Sequence, residues 1–418
     1  MPSFAYPGVS TRSRPLLLAT LSLLAPGTAL AFEPELAVTV DASYYDDTQD
    51  GHGDQALNEI AGALAVHEHE EGTHGLEQGV NLRPTEITVG GTLDHDTEIR
   101  LTATVSDTGA VDVEEAFVAT ELPRGVKLTA GRFYSGIGYQ NARHPHAWDF
   151  VDQNLAYRAL LGEHGLSDIG LQAVFTPIGR PDIHVGVEAF RGDENERLGT
   201  SVSHADHLPD RAEAPRLWTA FVKATPSIGD EHRFRFGAST ALFRSHQEHH
   251  EEGEPDEHAL DGDARLYGLE AVYHHEAGGQ QGRGDWRLAA EYLRAEKYLT
   301  ITHHNSEPVA VGNSRTFVED GFYLQAIYGI APNWELGLRF DAAGLTNELP
   351  DARTGLLTDP GESRRWTAAA TWHLSETSRL RGQVARVSAA LEDGRERYTQ
   401  FYLQYQWRLA LGGHRHAH

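Results

Sequence analysis

The chain has 418 residues, no cysteine and a formal charge of −26. Without thiols there is neither a disulfide framework nor a thiolate metal centre. The acidic balance excludes nucleic acid as a partner and favours cations.

The N-terminus reads as an export signal. Arg12 and Arg14 precede a short apolar run, Leu16 to Leu24, that Pro26 breaks, and Ala29-Leu30-Ala31 offers a small-residue cleavage site. Residues 1–31 are therefore expected to be a signal peptide and 32–418 a single domain beginning at Phe32. Past this point no segment approaches the roughly 20 apolar residues of a membrane-spanning helix, and mean hydropathy is −0.45. Yet the chain holds 42 Gly, 15 Tyr and 7 Trp, which suits apolar residues spread at every second position.

That alternation recurs along the chain. Ile99, Leu101, Ala103 and Val105 alternate with Arg100, Thr102 and Thr104; Trp334, Leu336, Leu338 and Phe340 alternate with Glu335, Gly337 and Arg339. At the C-terminal end Phe401, Leu403, Tyr405, Trp407, Leu409 and Leu411 share one face. A period of two puts such sets on opposite sides of a strand, and about ten residues match a tilted membrane strand. The spacing predicts strands near 35–45, 83–93, 96–106, 111–122, 125–134, 166–176, 183–191, 215–225, 232–244, 264–275, 285–300, 317–331, 334–343, 363–374, 379–389 and 398–411. Every second connection is short, as at Pro123-Arg124 and Ala331-Pro332. The expected fold is all-β: a single closed antiparallel transmembrane barrel of about 16 strands, both termini on the periplasmic side of a bacterial outer membrane. In it Trp286, Trp334, Trp366, Trp372 and Trp407 face lipid. Leu57, Ile60, Ala61 and Leu64 have the spacing of a short helix in the first long connection.

The long connections carry the unusual chemistry. Of 24 histidines most fall there, including His67, His69 and His74. The stretch 246–263, HQEHHEEGEPDEHALDGD, holds eight acids with His246, His249, His250 and His258. Imidazole with carboxylate suits Zn²⁺ and related ions, whereas a solvated acidic loop explains any single histidine as well. No rigid ligand spacing singles out one closed site. The chain ends in a tail with His414, His416 and His418, expected to be solvated. The connection 135–165 differs: Trp148 and Phe150 lie among His144, Pro145, His146 and Asp149. So aromatic a loop is expected to fold into the lumen, with His144, His146 and Asp149 as constriction or ion-site residues, or else as partners of packed aromatics.

The run GRFYSGIGYQNARHPHAWDFVDQNLAYRALLG, Gly131 to Gly162, and the VDVEEAFVATELPRGVKLTAGRF that leads into it resemble the signature of a proteobacterial outer-membrane family. That family is related to the phosphate-selective porins and often labelled zinc-regulated or TonB-dependent outer-membrane receptors. The resemblance implies passive or metal-linked uptake. A plugged barrel of about 22 strands does not fit a first strand beginning near Glu35.

A barrel of 16 strands is wide enough for an aqueous lumen. Arg100, Lys127, Arg233, Arg235, Arg287, Glu291, Arg339, Arg381 and Arg408 are expected to line it. No serine is set beside a positioned histidine and acid, so an enzyme is not expected. No cofactor is required, with Zn²⁺ at the external loops the one candidate. The expected partners are outer-membrane lipid, small solutes or divalent cations, and further copies in a homotrimer. A metal-binding TonB-linked receptor is the alternative.

Overall fold

We describe the chain in a computed structural model, for residues 32–60, 75–93, 96–195, 197–199, 207–250, 255, 257–306, 310–351, 354–358, 361–391 and 394–411. The expected signal peptide, His67, His69, His74, the helical spacing at Ala61 and Leu64 and the tail histidines lie outside these residues.

Sixteen strands form one closed antiparallel wall. They are β1 (Phe32–Asp47), β2 (Thr85–Leu93), β3 (Thr97–Val105), β4 (Val111–Leu122), β5 (Val126–Tyr134), β6 (Ser167–Phe175), β7 (Ile183–Phe190) and β8 (Leu217–Ala224). There follow β9 (His232–His250), β10 (His258–His275), β11 (Trp286–His304), β12 (Ser314–Ala331), β13 (Trp334–Ala343), β14 (Ser363–Ser375), β15 (Ser378–Leu391) and β16 (Gly394–Leu411). β1 closes the barrel by pairing with both β2 and β16, so no edge is left open. Two short pieces, Gly79–Leu82 and Ser227–Ile228, extend the wall beside β1 and β9.

The period of two decides what each face meets. On β16 Phe401, Leu403, Tyr405 and Trp407 are exposed outward, while Tyr402, Gln404 and Gln406 are buried inside. Trp286, Trp334, Trp366, Trp372 and Trp407 are all exposed on the outer face. They fall in two belts. Trp334 stacks on Trp372 near the short turns, and Trp366 packs on Phe340 towards the long connections. Amphipathic rings favour the two membrane interfaces.

Strand length is uneven, and here the structure corrects the sequence reading. β7 and β8 have 8 residues each, but β9 and β11 have 19 and β10 and β12 have 18. A tilted strand needs only about 9–11 residues to cross the hydrocarbon. The excess stands beyond it as a tall wall on the long-connection side. The stretch 246–263, expected as a flexible acidic loop, is therefore mostly paired strand: His249 faces Ala259 and His250 faces His258. A small apolar cluster of Leu260, Leu299, Ile301, Ala310 and Phe317 gives this projection its own packing, which alternation alone does not announce. Among the described residues of the first long connection there is one 3-10 turn, Gln55–Leu57.

Candidate functional site

The segment from Ser135 to Leu166 leaves β5, crosses the lumen and returns to β6. Its Ile137, Trp148, Phe150, Val151 and Leu155 are buried. It contains one helix, α1 (Leu155–Leu161), all seven residues of which are buried. Asn154 caps it by accepting from the Tyr157 amide at 3.0 Å. Two glycines make the seating possible. A Cβ on Gly321 of β12 would lie 2.7 Å from the Ala156 Cα. At Gly138, with φ +60°, a Cβ would collide with the Tyr157 hydroxyl and with Glu291.

One side of the barrel grips the segment with cations. Asp149 takes Arg287 at 3.0 Å, Arg143 at 3.4 Å and the Gln325 amide at 2.8 Å. Asp152 takes Arg339 at 2.8 Å, Arg365 at 2.5 Å and Gln383 at 2.7 Å. Arg379 and Arg381 donate to the carbonyls of His146 and Trp148 at 2.7 and 3.0 Å. Burial works against a charged Asp149, but Arg287, Arg143 and Arg381 overcome it and hold the carboxyl down at about 2. For Asp152, too, burial is outweighed, by Arg339 and Arg365, and its carboxyl stays well below the usual range.

From β2 round to β11 the wall grips it mainly with carboxylates, with Lys223 and Arg235 reaching the Gly138 carbonyl among them. Glu291 accepts from the Tyr139 and Gln140 amides at 2.7 and 2.9 Å and from Tyr157 and Tyr323 at 2.9 and 2.6 Å. Glu188 accepts from the Gly136 amide at 2.8 Å and from the Ser135 hydroxyl. His144 lies between three acids: its Nδ1 is 2.9 Å from Glu114 and 3.4 Å from Glu86, and its Nε2 is 3.2 Å from Glu115. His146 Nδ1 lies 2.9 Å from Glu86. Burial disfavours the imidazolium of His144, but the bonds to Glu114 and Glu115 and the charge of Glu86 outweigh it and raise the group to about 10.

Glu114 and Glu115 are adjacent, and regular alternation would send them to opposite faces. A bulge resolves this: Glu115 faces Thr102 while Val113 already faces Ala103, leaving Glu114 as the extra residue. Bulges commonly re-aim side chains in this way.

The sequence-predicted residues fall into several groups. Arg235, Arg287, Glu291, Arg339 and Arg381 point inward and bond the crossing segment; Arg235, for example, reaches the Gly138 carbonyl at 2.9 Å and Glu270 at 2.6 Å. Arg100 and Lys127 meet at Glu98, at 2.7 and 3.1 Å. With Glu35, Asp96 and Glu121 they line a vestibule of about 230 Å³ at the short-turn end. Arg233 pairs with Glu276 near the same end, and Arg408 is half-buried beside Gln406 on β16. Asp149, expected with His144 and His146, is turned instead to Arg143 and Arg287.

On the tall wall His246 Nδ1 donates to the Gly199 carbonyl at 2.7 Å, and its Nε2 lies 2.6 Å from Glu248. His250 also meets Glu248, at 3.1 Å, and His258 stacks between His250 and His304. His249 bonds Glu257 at 2.9 Å, and ligand atoms of His207, Glu257 and His303 converge within 4.8 Å.

Residues missed from sequence include Asp152, Arg365, Arg379, Glu114 and Glu115. The Glu114-Glu115 pair did carry a signal, since two successive acids inside a strand break alternation and mark a bulge. Asp152 carried none, because its partners lie about 190 and 210 positions downstream, at Arg339 and Arg365.

No protein-family model matches the chain. A protein of Aquifex aeolicus (strain VF5), described as uncharacterized, is 27% identical over 406 residues, covering 94% of this chain and 81% of that protein. Among solved structures the barrel is similar to the outer membrane channel DcaP of Acinetobacter baumannii, with a TM-score of 0.54 at 11% identity over 90% of this chain and 97% of that one. It is similar to an anion-selective porin from Comamonas acidovorans, with a TM-score of 0.54 at 10% identity over 91% of this chain and all (100%) of that one. It is also similar to the trimer form of OmpT, an outer membrane protein of Vibrio cholerae, with a TM-score of 0.52 at 10% identity over 91% and 100% of the two chains. At these identities the likeness is one of fold, and the fold this chain shares is the porin-type barrel.

Proposed function

We propose that the chain is an outer-membrane channel for small polar solutes, with residues 135–166 as its constriction. The observation that carries this reading is the crossing segment itself, held by arginines mostly from β11 to β15 and by carboxylates from β2 to β11, the two sets meeting at Arg287 and Glu291 on β11. Opposed charges across a pore orient water and select among ions. The vestibule of Arg100, Lys127 and their acids is the approach to that constriction from the short-turn end. Reconstitution into planar bilayers tests the reading: discrete conductance steps are expected, and a correctly folded barrel giving none would overturn it.

The tall wall supports a second, additional role in capturing transition-metal cations at the mouth. His207, Glu257 and His303 bring imidazole and carboxylate ligand atoms together there, the chemistry that suits Zn²⁺. Zinc binding that is unchanged in H207Q/H303Q would remove this role and leave the channel intact.

A further inference from the structure

We propose that Glu86, Glu114, His144 and His146 form a second metal site, inside the lumen, at which a divalent transition-metal cation ties the constriction to the acidic wall. The inference rests on the channel reading for its consequence and on geometry for the site.

The ligands come from three separate stretches of chain. Glu86 is on β2, Glu114 is the bulged residue of β4, and the two histidines flank Pro145 in the crossing segment. Ligand atoms of Glu86, Glu114 and His144 lie within 4.8 Å of one another. A tetrahedral zinc shell with bonds of about 2.0–2.1 Å sets its ligand atoms roughly 3.3 Å apart. His144 Nδ1 is 2.9 Å from Glu114 and 3.4 Å from Glu86, and Glu86 is 2.9 Å from His146 Nδ1. These separations bracket the tetrahedral value around Glu86, Glu114 and His144, while His146, which approaches through Glu86, has to swing in to complete the shell.

The remaining nitrogen of His144 supplies an independent argument. Its Nε2 lies 3.2 Å from Glu115. A ligating histidine usually gives its other N–H to a carboxylate, which fixes the tautomer and orients the ring. Here the bulge delivers one glutamate to each side of a single imidazole. Two imidazoles with two carboxylates select zinc-like ions over Ca²⁺ or Mg²⁺, which prefer all-oxygen shells. Binding releases the ring proton from Nδ1, and the cation then bridges loop and wall in place of the ion pairs that hold them otherwise.

The test uses the full chain, folded in detergent. Isothermal titration with Zn²⁺ and with Ca²⁺ is run on wild type, on H144Q/H146Q, on E114Q and on the rim variant H207Q/H303Q. Co²⁺ absorption reads the shell directly. We expect a zinc site that both lumenal variants weaken by at least about tenfold, that the rim variant retains, and that Ca²⁺ does not fill. We also expect Zn²⁺ to lower open-channel current fluctuation in wild type and not in H144Q/H146Q. Zinc stoichiometry and affinity equal to wild type in either folded lumenal variant would overturn the site. Binding without any effect on conductance would overturn its role as a tie. Should wild type show no conductance at all, the channel reading fails on that result alone, while the calorimetry still decides the site.

Discussion

At the scale of single residues, the constriction is held by charges that water does not reach. Arg339, Arg365 and Asp152 are all buried, and removing one member of a buried ion pair costs on the order of 3–5 kcal/mol because its partner is left uncompensated. Asp152→Asn should spend that cost on freeing the crossing segment, since the wall keeps its own backbone ladder. Protease cleavage between 143 and 153, absent in wild type and rapid in the variant with the barrel still folded, is the expected result. Asp149 adds a dependence on pH. Its folded value, about 2, lies below the ordinary carboxylate value near 3.9. Its contribution is therefore complete above about pH 4 and is lost as pH falls from there towards 2. Hydrogen exchange at 143–153, corrected for intrinsic rate, should show protection steady down to pH 4 and declining below it. Asp149→Asn should show a smaller decline, the remainder belonging to Asp152.

At the scale of elements, two bulges decide what the alternating pattern means. Before Ser245 the inward positions of β9 are Ala241 and Phe243; after it they are His246, Glu248 and His250. Ser245 takes φ 64° and absorbs the extra residue. Glu248 then points inward to Lys297 at 3.1 Å. Deleting Ser245 should restore strict alternation through Phe243, Arg244 and His246 and keep His246 inward, whereas a one-residue slip of the ladder would exchange the faces of every residue beyond it. The chain has no cysteine, so a single H246C reports the facing cleanly. Thiol labelling should be slow with Ser245 present and equally slow without it; fast labelling of the deletion variant would show that the ladder slips its register instead of losing a bulge.

At the scale of the whole molecule, the crossing segment occupies a lumen that the wall alone would leave open. A barrel of 16 strands encloses an aqueous channel, so excising residues 139–160 and bridging the ends with glycine should raise single-channel conductance several-fold. No rise would place the conducting path elsewhere. On the channel reading proposed above, the vestibule is where selectivity is set. Neutralising Arg100 and Lys127 leaves Glu35, Asp96, Glu98 and Glu121 on its wall, and reversal potentials in a salt gradient should shift towards cations. Neutralising the buried Arg339 should loosen the constriction more than it shifts selectivity, because its charge is already matched by Asp152 and Asp341.

The sequence by itself determined the barrel, its approximate strand number, the outward set of tryptophans and the inward fold of the 135–165 connection. Each follows from local patterning: a period of two, turn residues at every second connection, and aromatics too numerous for a solvated loop. Tertiary structure decided the rest. Whether 246–263 is loop or wall depended on pairing with β11 and on an apolar cluster drawn from three strands and a connection. Which charges face solvent and which hold the constriction depended on where one loop lands across the barrel, on residues as far apart as Asp152 and Arg365. Ion pairs between such distant positions leave no periodic trace in a single chain, because Coulomb attraction depends on separation in space and not on spacing in sequence.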